Sequence, residues 1–227
     1  MSKPINVGIY LFEDMTMLDG YAPLQIFSFV EQFNTFTFTR EGTPVKSDSG
    51  ALLTPDYGFE SCPEIDILVV PGGGDLLAEM TDSKVIAFLQ ERGPRAKYIT
   101  SVCTGALILA EAGLLEGYKA TTHWAYIDQL AAFPNIEVVD ERVAVDRNRI
   151  TGGGITAGID FALTVIAEVI APEVAQTIQL IFEYRPQPPF DSGSPETAPE
   201  EIVNRVKGMV NEKGKDLQEF IRNKYAA

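Results

Sequence analysis

The residue best suited to chemistry is Cys103, which follows a β-branched and aromatic run, Tyr98–Val102, and precedes an apolar segment of helical composition. Small residues two positions before and after it, Ser101 and Gly105, match the spacing of a nucleophile elbow. Such a bend puts the sulfur over the first turn of a helix, where free N–H groups and the helix dipole favour a thiolate. We therefore expect a nucleophile with a lowered pKa; the alternative is a buried thiol acting as a small apolar side chain.

Three further loops are expected to meet Cys103, because sites of open parallel sheets form outside the carboxyl ends of the strands. These loops contain Asp19, the glycines at 72–74 and the glycines at 152–154. Asp19 is the acid predicted to face the sulfur, and desolvation and repulsion by a thiolate would raise its pKa, so that it can deliver and accept a proton. The alternative for Asp19 is a helix N-cap.

The glycine runs predict backbone N–H groups that approach a bound substrate. We expect those of Gly73 and Gly74, together with the N–H of Thr104, to form an anion hole, and Gly152 to line the same crevice. The hydroxyl of Thr104 is a further candidate for the site. The alternatives are tight strand-to-helix turns for the glycines and an ordinary first helical residue for Thr104.

His123 is the only histidine of the chain and ends a short predicted strand beside Trp124. It is either the base of a Cys–His dyad or a buried, hydrogen-bonded imidazole, and no acid beside it in sequence would orient it as a base. One histidine and two unclustered cysteines give no set of metal ligands. Motifs that cradle phosphates or dinucleotides are absent from the sequence, so we expect neither a metal nor an organic cofactor.

The elements that must position these residues alternate between strands and helices. Strands are predicted at 5–12, 35–39, 65–70, 98–102, 120–122, 137–140, 143–145 and 150–151. Helices are predicted from 19 or 21 to 30, and at 83–92, 126–133, 156–170 and 172–184. This alternation, with glycines at strand ends, predicts an α/β fold: a doubly wound, mostly parallel sheet sandwiched by helices.

A change of composition marks the C-terminal part of the chain. Residues 187–199 are rich in Pro, Gly, Ser and acid, which predicts an extended arm, and residues 200–227 have two amphipathic helical segments separated near Gly214. We therefore predict an α/β domain at 1–186 and a helical extension at 187–227. The apolar faces of these helices must pack on the body or on a second subunit.

Composition and charge exclude several classes of function. The 227 residues are 45% hydrophobic and 22% charged, as is usual for a globular protein. A formal net charge of −14 without a Lys/Arg block argues against nucleic acids and against anionic membrane surfaces as partners. Two cysteines in different contexts, short apolar runs and a first strand close to the start predict a cytoplasmic protein without a structural disulfide, signal peptide or membrane span.

A set of segments carries a family resemblance: NVGIYLF (6–12), LDG (18–20), VPGGG (70–74), SVCTGA (101–106), ATTHW (120–124) and TGGGITAG (151–158). In this order, from about residue 5 to residue 185, they resemble the ThiJ/PfpI superfamily, whose fold is flavodoxin-like and of the class I glutamine amidotransferase type. Many members have a Glu after the first strand. This chain has Asp19, as does the branch that adds water to isonitriles.

The resemblance implies an activity and a set of roles. It implies a homodimer that hydrates a small-molecule isonitrile, with a thiolate at Cys103, acid–base help from Asp19 and a supporting hydroxyl from Thr104, and without a cofactor. The thiolate would attack the terminal carbon while Asp19 supplies a proton, and Asp19 would then activate water to release an N-substituted formamide from a covalent thioimidate.

The resemblance also leaves other functions open. Peptidases of the superfamily have a His after the nucleophile, and Thr104 at that position argues against peptidase activity. Transcription factors with a similar sensor carry the same Thr-His-Trp run before a DNA-binding module, for which the residues after Arg185 are too few. A cysteine-based oxidation sensor, or a protein-repair or chaperone-like member, is the main alternative to the hydratase.

Overall fold

The computed structural model describes residues 3–225. The strands are β1 Ile5–Tyr10, β2 Phe33–Thr39, β3 Val45–Lys46, β4 Leu52–Leu53, β5 Tyr57–Gly58, β6 Ile67–Val70, β7 Tyr98–Val102, β8 Lys119–Ala120, β9 Glu137–Val138, β10 Val143–Asp146 and β11 Arg149–Gly152. The helices are α1 Met17–Phe27, α2 Leu77–Thr81, α3 Ser83–Arg92, α4 Gly105–Glu111, α5 Ile127–Ala131, α6 Ala157–Val169, α7 Pro172–Ile181, α8 Glu200–Lys213 and α9 Lys215–Tyr225, with 3₁₀ turns at Gly93–Arg95 and Trp124–Tyr126.

Within residues 3–225, one seven-stranded sheet runs in the order β10-β11-β7-β6-β1-β2-β5, and the pairs are parallel except β10 with β11. The chain leaves β1 toward β2 on one side and later adds β6, β7 and β11 on the other side. The direction of winding therefore reverses between β1 and β6, and open parallel sheets form their binding sites at such a reversal, at the carboxyl ends of the strands.

Helices cover both faces of the sheet, which confirms the predicted α/β class. On one face α1 packs against α6, where the rings of Phe27 and Phe161 meet edge to face at 6.4 Å. On the other face α4 contacts β6 and β7, and α2, α3 and α5 pack around it. The four residues of β6 are fully buried, as expected of a strand covered by helices on both sides.

Several predicted elements differ from the structure in detail. Helix α3 and strand β7 have the predicted bounds, whereas β1 ends at Tyr10, two residues early. Helix α1 begins at Met17 and contains Pro23 in its interior. Thr37 and Thr39 of β2 are buried, as are Phe36 and Phe38, so both faces of this part of the strand are covered: its threonines bond to Asp56 and to the Thr43 carbonyl.

The two C-terminal helices are covered to different degrees. Helix α9 buries Leu217 and Ile221 against its own chain, and its Lys224 and Tyr225 bind the Glu111 carboxylate at the end of α4. Helix α8 buries no residue completely. The division into a domain at 1–186 and an extension at 187–227 stays a prediction. Across residues 3–225, none of the helices combines the length and the apolar character needed to cross a bilayer.

Candidate active site

The loops after β1, β6, β7 and β11 meet at the carboxyl edge of the sheet. Asp19 lies in α1, which follows β1, and its carboxylate accepts a hydrogen bond from the N–H of Gly72, which follows β6. Cys103 follows β7, and its N–H donates to the carbonyls of Gly152 and Gly153 at 3.0 and 2.9 Å. The topology thus brings the four predicted loops together.

The bend at Cys103 has the geometry of a strand-to-helix elbow. Its φ is 56°, in the left-handed region that a residue with a side chain rarely adopts. Two residues later, a Cβ on Gly105 would lie 2.1 Å from the Val70 carbonyl oxygen, so only glycine fits there. The small residue two positions after Cys103, which identified the elbow in the sequence, is therefore required for a steric reason.

Asp19 is a helical residue and not a helix cap. It is the third residue of α1, after Thr16 in the N-cap position, and its side chain is fully buried. Its Oδ2 accepts from the Gly72 N–H at 3.1 Å, while Oδ1 is buried and receives no nitrogen or oxygen donor from residues 3–225. Burial raises the pKa of Asp19 to about 7, against the lowering effects of the Gly72 N–H and the Cys103 thiol.

The expected lowering of the pKa of Cys103 is wrong. The side chain is 5% exposed, and burial and then the charge of Asp19 raise the pKa of the thiol above its usual value. The N–H groups of Ile155 and Thr104 act in the opposite direction but are outweighed. At rest the sulfur is therefore a neutral thiol beside the Asp19 carboxyl group, because removing water from around an anion costs more free energy than two N–H donors supply.

The predicted anion-hole residues are arranged differently from expectation. The Thr104 hydroxyl donates to the Gly73 carbonyl at 2.8 Å and accepts from the Gly73 N–H at 2.9 Å, so both groups are committed to each other. Gly74 is exposed, with open space where a side chain would be. Gly152 holds the elbow through its carbonyl, beside Phe161.

His123 lies beside Gly154 as a half-buried, neutral imidazole. Its Nδ1 accepts from the Ala125 N–H at 3.2 Å, and burial lowers its pKa. Its ring stacks on Trp124 and meets Tyr126 edge to face, with centroids 5.7 and 6.0 Å away. These contacts correspond to the second reading of His123 given by the sequence, a hydrogen-bonded imidazole.

Three positions that contact the candidate site were missed from the sequence. Ile155 contributes only its backbone N–H, at a φ of 23°, so its side-chain type carries no signal. Thr122 donates from Oγ1 to the Cys103 carbonyl at 2.9 Å, and Tyr126 donates to the Gly74 carbonyl at 3.3 Å. Thr122 belongs to the ATTHW segment, and Tyr126 follows that segment by two residues. This segment was the one signal in the sequence that could have identified them. Residues 3–225 hold no group of three His, Cys, Asp or Glu side chains placed to bind a metal.

Comparisons with known proteins agree with this fold. A ThiJ/PfpI family protein from Pseudomonas syringae, known from its crystal structure, is 41% identical and superposes with a TM-score of 0.92 over 96% of this chain and 90% of that one. Isonitrile hydratase of Pseudomonas putida is 44% identical over 203 residues, 89% of each chain.

A second kind of relative shares only part of its length with this chain. The HTH-type transcriptional regulator GbdR of Pseudomonas aeruginosa is 31% identical over 80% of this chain but only 51% of its own length. The DJ-1/PfpI family pattern matches residues 6–168, which include Asp19, Cys103 and Thr122. The ThiJ/PfpI membership predicted from the sequence is confirmed, and the chain belongs to the DJ-1/PfpI family.

Proposed function

We propose that this chain is an isonitrile hydratase, which adds water to R–N≡C and releases an N-substituted formamide. The observation that carries the proposal is the buried pair of Asp19 and Cys103: a carboxyl group whose pKa is about 7 lies against a thiol in a strained elbow. The 44% identity to the isonitrile hydratase of Pseudomonas putida supports the same activity.

The first step joins the thiol to the substrate. The Asp19 carboxylate takes the proton of the Cys103 thiol while the sulfur bonds to the terminal carbon of the isonitrile. The same proton then passes from Asp19 to that carbon. One S–H bond is broken, one C–S and one C–H bond are formed, and the product is the thioimidate R–N=CH–S–Cys103, with Asp19 again ionised.

The second step adds water and releases the enzyme. Asp19 takes a proton from water as the hydroxide attacks the thioimidate carbon, and the nitrogen receives that proton. The tetrahedral R–NH–CH(OH)–S–Cys103 then collapses: the C–S bond breaks, and the hydroxyl proton returns through Asp19 to the sulfur. The net reaction adds one water to one isonitrile and restores the starting pair.

Backbone donors make the sulfur able to carry transient charge. The N–H groups of Thr104 and Ile155 face Cys103 and lower its pKa, which opposes the effect of burial. They stabilise the sulfur when it gives up its proton and again when it leaves the tetrahedral carbon. The Thr104 hydroxyl, bonded to Gly73, takes a supporting role by fixing the loop after β6 against the elbow.

We also propose a homodimer, as the family resemblance implies. The protein has an apolar surface that consists of Phe29, which follows α1, and Leu180 and Ile181 of α7. Phe29 is 51% exposed, Leu180 81% and Ile181 58%. Phe29 packs on Phe182 with ring centroids at 4.9 Å, so the patch is ordered. Exposed apolar patches of this kind mark protein interfaces, and a second copy of this chain is the partner that we propose.

The alternative role, oxidation sensing by Cys103, fits the site less well. Sensor cysteines are exposed and have a low pKa, whereas Cys103 is buried and its pKa is raised. Peroxide sensitivity would not separate the two functions, because a hydratase with this nucleophile is also inactivated by oxidation.

The test of the hydratase is intact-mass spectrometry during turnover of a simple alkyl isonitrile. We expect an adduct with the mass of the isonitrile on Cys103, loss of both adduct and formamide in Cys103→Ala, and loss of formamide in Asp19→Asn, because the Asn amide cannot take the thiol proton. Cys62→Ala is the matched control, because Cys62 is also buried and burial raises its pKa to about 11, but it is not part of the strand-to-helix elbow, so its loss should leave turnover intact. Turnover by Cys103→Ala would refute the covalent route.

A further inference from the structure

We propose that Thr122 is a positioning residue for the nucleophile: its hydroxyl fixes the peptide between Cys103 and Thr104 so that the Thr104 N–H points at the sulfur. The proposal adds a residue to the proposed function. What it predicts is the reactivity of the Cys103 thiol, which can be measured without a substrate. The residue lies just after β8, on a segment that does not pair with β7 or β11 in the main sheet.

The hydrogen bonding supports this role directly. Thr122 is 2% exposed, and its Oγ1 donates to the Cys103 carbonyl oxygen at 2.9 Å. In a trans peptide the carbonyl and the following N–H point in opposite directions. Holding the Cys103 carbonyl toward Thr122 therefore turns the Thr104 N–H away from Thr122 and toward the sulfur, where it lowers the pKa of the thiol.

The anchor matters because the elbow is strained. Cys103 has a φ of 56°, a conformation that persists only when its surroundings hold it. The N–H of Cys103 is fixed by the carbonyls of Gly152 and Gly153, and Thr122 fixes the other side of the same residue. Without the hydroxyl, the Cys103 carbonyl loses its partner, and the Thr104 N–H is held less firmly toward the sulfur.

The other groups around the sulfur are unchanged by a substitution at Thr122. The Asp19 carboxyl faces Cys103 from α1, the Ile155 N–H faces it from the loop before α6, and the phenol of Tyr126 is close enough to interact with its charge. His123 lies nearby but is neutral because burial lowers its pKa. A change in thiol reactivity in a Thr122 variant therefore reports on the Thr104 donor.

The experiment compares Thr122→Val with Thr100→Val. Thr100 is a matched control, since its buried Oγ1 donates to the Leu68 carbonyl at 2.8 Å on β7, three residues before Cys103, without touching the elbow. The readout is the rate of iodoacetamide alkylation of Cys103 between pH 6 and 9.5. Peptide-level mass spectrometry separates Cys103 from Cys62.

We expect alkylation at pH 8 to be about tenfold slower in Thr122→Val, since a hydrogen bond to a charged group contributes on the order of a tenfold effect or more. Thr100→Val should stay within about twofold of the wild type, and Thr122→Ser, which keeps the hydroxyl, should restore the rate. Equal rates in Thr122→Val and Thr100→Val would overturn the proposal. If Thr122→Val does not fold, Thr122→Ala replaces it and is held to the same outcomes.

Alkylation requires no isonitrile, so the two proposals fail separately. Lack of isonitrile turnover in the wild type would refute the hydratase, while the comparison of Thr122 with Thr100 would still decide the role of Thr122. With a substrate that is turned over, Thr122→Val should lower kcat more than it raises KM, because the Thr104 donor acts on the charge that develops at the sulfur.

Discussion

Replacement of Asp19 by Asn tests the electrostatics of the site without any substrate. The Asn side chain has nearly the same shape and keeps an oxygen for the Gly72 N–H, but it cannot ionise. In the wild type, burial raises the pKa of Asp19 from 3.8 to about 7. Ionisation of Asp19 in the folded protein therefore lowers the free energy of unfolding of the wild type. The Asn side chain of the variant does not ionise, so the variant does not lose this free energy.

The sign follows from proton linkage. Because the folded pKa of Asp19 is above its unfolded pKa, its contribution favours the folded state most below pH 3.8 and is lost as the pH rises through about 7. Between pH 5 and 7 the unfolded carboxyl is ionised and the folded one is mostly protonated. At about 1.4 kcal/mol for each pH unit of full difference, and with the folded carboxyl half ionised at pH 7, the wild type should lose about 2.3 kcal/mol relative to Asp19→Asn between pH 5 and pH 7.

The assay is urea unfolding at pH 5, 6, 7 and 8, with the free energy of unfolding of the variant minus that of the wild type plotted against pH. Asp66→Asn is the control, because the Asn6 N–H and Lys97 hold the pKa of Asp66 below its usual value despite some burial, so its difference should be constant above pH 5. A constant difference for Asp19→Asn over the same range would show that this carboxyl is already ionised in the folded protein and would refute the reasoning.

Further predictions concern activity, the elbow, the C-terminal helix and assembly. Isonitrile turnover should rise with pH through about 7, because Asp19 must be ionised to take the thiol proton; a fall over this range in a pH–rate profile would contradict that role. Gly105→Ala should cost at least about 3 kcal/mol in chemical denaturation, because its Cβ would overlap a backbone carbonyl; a cost below about 1 kcal/mol would contradict the steric argument. Glu111→Gln should cost about 1 kcal/mol and increase hydrogen exchange in α9, whose Lys224 and Tyr225 it binds; unchanged exchange would refute that anchor. Leu180→Glu should give a monomer in analytical ultracentrifugation, and a persistent dimer would place the interface elsewhere.

Much of the fold was predictable because its signals are local. The run from Tyr98 to Val102 and the helix Ser83–Arg92 have the predicted bounds, since β-branched runs and a helical period are read within a few residues. Short helix α2 and the start of α1 were not predicted correctly. Helix α1 begins at Met17 and not at 19 or 21, because Pro23 is accommodated inside it and not in a first turn, and α2 is too short to show a period.

The site was predictable in its members but less so in their roles. The spacing around Cys103 identified the elbow, and the loops after parallel strands identified Asp19 and the glycines. The commitment of the Gly73 N–H to Thr104 depends on a contact 31 residues away in sequence, and the Ile155 donor is a backbone group. Neither leaves a mark on residue type.

The sequence by itself determined the α/β architecture, the turn at Cys103 and the set of loops that meet there, because these depend on local periodicity, on small residues and on the rule that parallel strands end at one edge. The tertiary structure alone decided the protonation of the site. Asp19 and Cys103 are 84 positions apart in sequence, and it is their common burial that raises both pKa values. The energy of an ion depends on how much water surrounds it, and only the folded chain determines that.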